Sequence, residues 1–123
     1  MKGKIILIDI DGTVCDDISN ENYHLFSVAK HYPDALETLN GWYEQGANLT
    51  FFTARKEKHR KVTEKWLDEK GFKYHGLIMN KPRCLDEDDE YIWIDNKKVR
   101  AITYVNKWGA LQKVTKEILT FGD

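Results

Sequence analysis

Two acidic residues, Asp9 and Asp11, follow a short apolar run and could act together on a phosphate ester. A carboxylate such as Asp9 can attack phosphorus in line and form an acyl phosphate that water then hydrolyses. A second carboxylate two residues later could protonate the leaving group and then deprotonate the attacking water. Gly12 allows the chain to turn sharply, so that main-chain N–H groups can face phosphate oxygens. The spacing therefore predicts a phosphoryl-transfer site on Asp9.

Three further polar residues, Thr53, Lys81 and Asp95, also end apolar stretches of the chain. The Thr53 hydroxyl could donate a hydrogen bond to a phosphoryl oxygen, and Lys81 offers a compact positive charge. A phosphate dianion beside Asp9 would be repelled without a cation, and Mg²⁺ prefers oxygen ligands of this kind. Asp95 could complete a magnesium site with the Asp9 carboxylate and the main-chain carbonyl of Asp11.

Alternating strands and helices must position these residues. The apolar patterns predict strands over residues 4–10, 48–53, 73–79, 90–95 and 100–105, and helices over residues 33–44, 56–70 and 109–121. Residues 20–31 are either weakly helical or a flap. Such alternation is typical of an α/β class, with a Rossmann-like parallel sheet flanked by helices. Ligands bind at the carboxyl ends of strands in these sheets, where the polar residues would converge.

Composition narrows the class of protein further. The 123 residues suffice for one domain over residues 1–123, and the formal charge of −1 does not favour binding to nucleic acid or an anionic membrane. The two cysteines form no C-x-x-C pair, and the four histidines lack zinc-ligand spacing. The apolar run near the N-terminus is too short for an export signal or a membrane span. We therefore expect a cytoplasmic protein with no membrane partner.

The order of four short motifs resembles that of the haloacid dehalogenase-like phosphohydrolases. The motifs are ILIDIDGT, FFTAR, NKPR and WIDN, and the match covers nearly the whole chain. The resemblance implies Asp9 as nucleophile and Asp11 as general acid and base. It implies Thr53 and Lys81 as phosphate ligands and Asp95 as a metal ligand. Gly12 and Ala54 are further candidate phosphate contacts, and Asp9 and Asp11 are further candidate Mg²⁺ ligands.

The chain departs from the family pattern in two places. Asn96 follows Asp95 where the family often has a second acid, and its amide oxygen could still contribute to the metal site. Residues 14–32 could form only a small flap, which indicates a capless member with an open site. A second subunit could cover that site, or the substrate could be large. Arg55 and Arg83 could grip the substrate, although a solvated surface position is an equal alternative for both.

The resemblance is strongest to short bacterial and phage proteins that look like sugar-phosphate phosphatases. We therefore expect a small phosphorylated metabolite such as a sugar phosphate as the substrate. The alternatives are a nucleotide phosphatase, a polynucleotide-end phosphatase, and a phospho-ligand-binding module without catalytic activity. A receiver-type regulatory domain is disfavoured because its phosphorylated Asp ends a middle strand, where this chain has Thr53.

Overall fold

The computed structural model describes residues 1–105 and Trp108. These residues belong to two compact units, Met1–Pro82 and Arg83–Asp123, which are treated separately below. None of the described helices is both long enough and apolar enough to span a lipid bilayer.

A parallel three-stranded sheet forms the centre of the first unit. Its strands are β1 (Ile5–Ile8), β2 (Asn48–Phe52) and β3 (Gly76–Ile78), in the order β1-β2-β3. Ile5 lies opposite Asn48, and Thr50 lies opposite Gly76. The predicted parallel α/β architecture is therefore confirmed, with each strand shorter than the apolar pattern suggested.

Helices connect the strands, as a parallel sheet requires. Helix α1 (Ala35–Glu44) lies between β1 and β2, and helix α2 (Arg60–Lys70) lies between β2 and β3. A short 3-10 turn, Glu57–His59, precedes α2, which ends at Gly71 with a φ of +87°. That left-handed conformation is the ordinary glycine-dependent stop of a helix.

Residues 20–31, for which a weak helix or a flap is predicted, contain a 3-10 segment at Asn20–Val28. We call Asn20–Val28 the flap segment. Only Phe26 is buried within it, whereas Tyr23, Leu25 and Val28 are 41–66% exposed. Phe26 is therefore the residue of the flap segment whose side chain enters the core.

The core lies between the sheet and the two helices. Leu49 and Phe51 point inward from β2, in keeping with the alternation of side chains along a strand. Leu39 from α1 and Trp66 from α2 are also buried. The Trp66 indole N–H donates to the main-chain oxygen of Ala29 at 2.8 Å, which fixes the segment before α1 against α2.

Strand β1 is less buried than a central strand would be. Ile8 is 4% exposed, but Ile5 is 76% exposed. Among the described residues, β1 pairs only with β2, so it lies at an edge of the sheet. The continuous apolar run of residues 5–8 is typical of a fully buried strand, but β1 is buried only at its carboxyl end, where the candidate site begins.

The second unit does not contain the strands predicted there. Residues 90–95 adopt no strand, and Ile92, Trp93 and Ile94 are 53–79% exposed. Residues 100–105 contain one isolated bridge residue, Ile102. A continuous apolar run favours a strand only when a neighbouring strand pairs with it, and none does so in the part of the chain described. The predicted helix over residues 109–121 lies outside the described residues.

Candidate active site at the carboxyl end of the sheet

Asp9 follows β1 directly and lies between a hydroxyl and an ammonium group. The Thr13 hydroxyl donates to Asp9 Oδ2 at 2.9 Å, and Lys81 Nζ lies 3.7 Å from Asp9 Oδ1. Burial raises the pKa of the Asp9 carboxyl, while Lys81 and the Thr13 hydrogen bond act in the opposite direction. The negative charge of Asp11 adds to the upward shift. Asp9 is therefore a partly desolvated carboxylate with a cation beside one of its two oxygens.

A tight turn after Ile10 directs the chain away from Asp9. Gly12 has a φ of +82°, and a Cβ on it would lie 3.4 Å from the Asp17 side chain. The N–H of Gly12 donates to the Cys15 carbonyl, and the next three N–H groups all point at the Ile10 carbonyl. The sequence prediction of a sharp turn at Gly12 fits this geometry. The N–H of Gly12 is engaged within the turn rather than directed at a phosphate site.

Asp11 points to a different cation. Its two carboxylate oxygens accept hydrogen bonds from Arg55, with Nη2 to Oδ1 at 2.8 Å and Nε to Oδ2 at 3.0 Å. The Arg55 side chain is 1% exposed and the Asp11 side chain 14% exposed. A paired fork of this kind fixes the orientation of both planar groups. Two carboxylates that are two residues apart are thus matched to separate cations.

The surroundings of Arg55 enclose its guanidinium on three sides. Nη1 donates to the Thr63 hydroxyl at 3.1 Å, and Cζ lies 3.9 Å from the centre of the Phe26 ring. The Thr63 hydroxyl in turn donates to the main-chain oxygen of His59 at 2.8 Å. The sequence predicts either a substrate contact or a solvated surface position for Arg55. The structure instead buries Arg55 beside Asp11.

Main-chain hydrogen bonds tie the loops after β2 and β3 together. The Lys81 N–H donates to the Thr53 carbonyl at 2.9 Å, and the Asn20 side chain donates to the Ala54 carbonyl at 3.2 Å. Asn80 adopts a φ of +63°, a conformation that asparagine tolerates better than most residues. Three predicted phosphate-binding residues, Thr53, Ala54 and Lys81, therefore share one loop cluster next to Asp9.

Thr53 is more enclosed than a substrate-facing residue would be. It is fully buried, and its hydroxyl oxygen accepts the N–H of Arg55 at 3.1 Å. The main-chain N–H of Thr53 donates to the Ile78 carbonyl at the end of β3. In this arrangement Thr53 stabilises the loop that carries Arg55.

His59 lies against the flap segment. Its ring stacks on Tyr23 with centroids 5.1 Å apart and meets Phe26 edge-on at 5.4 Å. Burial, together with the positive charges of Lys58 and Arg55, lowers the pKa of the His59 imidazole. The ring is therefore held between two aromatic side chains, and its lowered pKa favours the neutral imidazole.

Three predicted site residues, Arg83, Asp95 and Asn96, belong to the second unit. All three are exposed there. Asp95 Oδ2 accepts the Trp93 indole N–H at 3.1 Å, and Oδ1 accepts the Lys97 N–H at 3.0 Å. These two hydrogen bonds lower the pKa of the Asp95 carboxyl. The roles predicted for Arg83, Asp95 and Asn96 at the site stay predictions.

The carboxylate of Asp9 is an oxygen ligand of the kind that a hard cation such as Mg²⁺ prefers. Within residues 1–105 and Trp108, no three His, Cys, Asp or Glu side chains are grouped as metal ligands. Mg²⁺ often binds through only one or two carboxylates and keeps several waters. Because the Asp11 carboxylate is occupied by Arg55, the main-chain carbonyl of Asp11 is the part that would serve a metal, as the sequence predicts.

Sequence reasoning missed several residues that shape the site. Thr13 lies four residues after Asp9 within the motif that was already singled out, so a hydroxyl contact to Asp9 could have been anticipated. Thr63 and Phe26 gave no such signal, since a threonine on a helix and an aromatic residue in an ambiguous segment are ordinary core choices. Both acquire a role only through their contact with Arg55.

Comparison with known proteins places the chain among related folds. The family model described as PITM 1-3, LNS2 domain, matches residues 6–115. A Bacillus cereus protein named as a candidate nucleotidase is 46% identical over 44 residues, which are 36% of this chain and 23% of that protein. The chain thus spans about a quarter of the curated relative that it matches.

Two solved structures have a similar fold. A crystal structure of an MCSG target from Vibrio cholerae has a TM-score of 0.56 at 20% identity, covering 72% of this chain and 78% of that one. A chain in the structure of the Pnkp1/Rnl/Hen1 complex has a TM-score of 0.56 at 20% identity, covering 71% of this chain and 31% of that one. At 20% identity these two structures show a similarity of fold alone, and they agree with the parallel α/β architecture described above.

Proposed function

The chain belongs to the family described as PITM 1-3, LNS2 domain, and from that premise we propose that it is a Mg²⁺-dependent phosphomonoester hydrolase. The reaction passes through an aspartyl phosphate on Asp9. The observation that carries the proposal is the position of the Asp9 carboxylate, which lies at the carboxyl end of β1 with Thr13 and Lys81 at its two oxygens.

Asp9 and Lys81 account for the first half of the reaction. The carboxylate of Asp9 attacks phosphorus, and the bond between phosphorus and the leaving oxygen breaks as the new bond forms. Lys81, whose side chain is 15% exposed, offsets the negative charge that builds on the phosphoryl oxygens. Thr13 holds one Asp9 oxygen by its hydrogen bond and so limits rotation of the carboxylate.

Asp11 accounts for the proton transfers. It gives a proton to the departing alkoxide and later takes one from the water that attacks the phosphorus of the acyl phosphate. That second attack breaks the bond between phosphorus and Asp9, releases inorganic phosphate and restores both carboxyl groups. The net reaction is the hydrolysis of one phosphate ester to an alcohol and phosphate.

A magnesium ion would be held by the Asp9 carboxylate and the main-chain carbonyl of Asp11, and it would offset the charge of the incoming phosphate. The further ligands proposed from the sequence motifs are Asp95 and Asn96. Their contribution can be measured as the loss of Mg²⁺ affinity in Asp95→Asn and Asn96→Ala.

The proposed substrate is a small phosphorylated metabolite such as a sugar phosphate. The name of the Bacillus cereus relative favours nucleotides as the second substrate class. Polynucleotide ends are the third substrate class. Because we propose no cap domain, a second copy of the chain would cover the site.

A non-catalytic phospho-ligand-binding module is the second candidate function. The observation that favours it is Asn96, which stands next to Asp95 where the family often has a second acidic metal ligand. A module of this kind would bind phosphate esters and turn none of them over.

The experiment that tests the proposal is phosphate release from a panel of sugar phosphates, nucleotides and phosphorylated oligonucleotides, with Mg²⁺ and with EDTA. Asp9→Asn is the matched blank because it keeps the shape of the carboxylate and removes the nucleophile. We expect Mg²⁺-dependent release by the wild-type protein and none above background by Asp9→Asn. Equal rates for the two proteins would refute the mechanism, and ligand binding without release would establish the second candidate.

A further inference from the structure

We propose that Arg55 is a positioning residue that holds Asp11 in the orientation needed for proton transfer. This inference rests on the proposed function and assigns Arg55 a role different from the substrate contact predicted from the sequence. It starts from the geometry of the pair, in which Nε and Nη2 of Arg55 reach the two oxygens of the same carboxylate.

The paired fork determines the orientation of the Asp11 carboxylate. A single hydrogen bond leaves a carboxylate able to rotate about its last torsion angle, whereas two parallel bonds from one guanidinium fix its plane. Proton transfer depends on the donor oxygen lying within hydrogen-bond reach of the leaving oxygen. An error of about 1 Å in the position of a reacting group can cost on the order of 100-fold in rate.

Arg55 can fix Asp11 only because Arg55 is itself fixed. Thr63 accepts its third hydrogen bond, Phe26 lies under the guanidinium, and the main-chain N–H of Arg55 is held by the buried Thr53 hydroxyl. The main-chain oxygen of Arg55 also accepts the N–H of Asn80 at 2.9 Å. Both ends of the residue are therefore anchored to buried or hydrogen-bonded neighbours.

The same enclosure argues against a direct contact between Arg55 and substrate. The side chain is 1% exposed, and Nε, Nη1 and Nη2 all donate to protein oxygens. A phosphate could reach the guanidinium only if the side chains that bury it moved aside. Lys81, which lies beside Asp9 rather than Asp11, is the better placed cation for the phosphoryl group.

A selective kinetic effect distinguishes positioning from a general structural role. An alkyl phosphate needs a proton on its leaving oxygen, whereas 4-nitrophenyl phosphate releases a stable 4-nitrophenolate without one. The ratio kcat/KM reports the steps up to departure of the leaving group. Loss of Asp11 orientation should therefore lower kcat/KM for the alkyl ester far more than for the aryl ester.

The test uses Arg55→Lys, which keeps the positive charge and removes the fork. We expect kcat/KM for glucose 6-phosphate, or for the best alkyl ester of the substrate panel, to fall by roughly 10- to 100-fold, with little change for 4-nitrophenyl phosphate. In an Asp11→Asn background the same change should add no further loss on the alkyl ester. Arg60→Lys is the matched control, since Arg60 is a partly exposed arginine of α2 bonded to Glu57.

Thr63 supplies a second pair of variants if Arg55→Lys folds poorly. Thr63→Val removes the oxygen that anchors Nη1 and should reproduce the alkyl-selective loss in weaker form, while Thr63→Ser should retain wild-type rates. Equal losses on the two esters, or a full additional loss in Asp11→Asn, would overturn the positioning role while leaving Asp9 as nucleophile. If the wild-type protein matches Asp9→Asn on every ester, the proposed function fails and the positioning role fails with it.

Discussion

Replacement of Arg55 by methionine tests how much the buried pair contributes to the stability of the fold. Methionine keeps an apolar stem but removes the charge, three hydrogen bonds and the guanidinium carbon that lies 3.9 Å from the centre of the Phe26 ring. Breaking a buried ion pair by removing one partner costs about 3–5 kcal/mol, because the remaining charge is left unpaired. The cost here should be somewhat lower, since Asp11 is 14% exposed and gains some water.

The expected cost of Arg55→Met is therefore about 2–4 kcal/mol in the free energy of unfolding. Thr63 adds little to it, because its hydroxyl retains the His59 carbonyl as acceptor. At a urea slope of about 2 kcal/mol per molar, the middle of the ordinary range, the midpoint should move down by roughly 1–2 M. Urea titrations followed by tryptophan fluorescence measure this directly, since Trp66 is 1% exposed in the core.

The double variant Asp11→Asn/Arg55→Met separates an unpaired charge from lost packing. With both charges removed, the unfolding free energy should return to within about 1 kcal/mol of the wild-type value, because replacing a whole buried pair is often neutral. The two single changes should then be strongly non-additive. A double variant as unstable as the sum of the single variants would refute the electrostatic reasoning, and a cost of Arg55→Met below about 0.5 kcal/mol would do the same.

Two further predictions concern single titratable groups. Burial and the nearby carboxylates raise the pKa of the Cys15 thiol to about 12. Iodoacetamide at pH 8 should therefore label Cys84 in the native protein and leave Cys15 unlabelled until urea is added. Peptide mass spectrometry measures the labelling of each cysteine. The folded pKa of Asp9 is raised, so its ionisation destabilises the fold as the pH rises from the ordinary carboxyl range through that folded pKa. In EDTA, Asp9→Asn should therefore melt above wild type at pH 7 and lose that advantage near pH 3, and a gap of the same size at both pH values would contradict the linkage.

The sequence predicts the positions of strand ends well because packing and chemistry agree there. Asp9 follows β1, Thr53 follows β2, and Lys81 follows β3 within a few residues, as the apolar patterns indicate. The same patterns overestimate the lengths of the strands. A propensity for extended structure continues for as long as apolar residues do, whereas a ladder ends where the neighbouring strand ends.

Residues 90–95 illustrate the limit of an apolar run as evidence. The string EYIWID has the composition of a buried strand, yet the chain there forms local contacts instead. Asp95 accepts the N–H of the residue two positions later, which is a turn-forming contact typical of aspartate. Composition alone does not distinguish a strand from an exposed apolar segment, because pairing depends on residues far away in the sequence.

Arg55 shows why the direction of a side chain is harder to predict than its position. Its place two residues after Thr53 puts it at the rim of the sheet, where an arginine next to a phosphate site suggests a contact with substrate. Two residues that are distant from the motif, Phe26 and Thr63, decide the matter by enclosing the guanidinium. Neither belongs to a recognisable pattern, so only the folded chain reveals the enclosure.

The arrangement of charges gives a physical reason for two acids in such close succession. Asp9 and Asp11 repel each other, and the effect of Asp11 is an upward contribution to the pKa of Asp9. Lys81 faces the first carboxylate and Arg55 the second, so each negative charge has its own counterion. The mobile ammonium lies beside the proposed nucleophile, where charge changes during the reaction, and the rigid guanidinium lies beside the proposed proton carrier, where orientation matters most. Arginine at position 81 and lysine at position 55 would therefore put a rigid planar cation beside the proposed nucleophile and would remove the fork that fixes the plane of the Asp11 carboxylate.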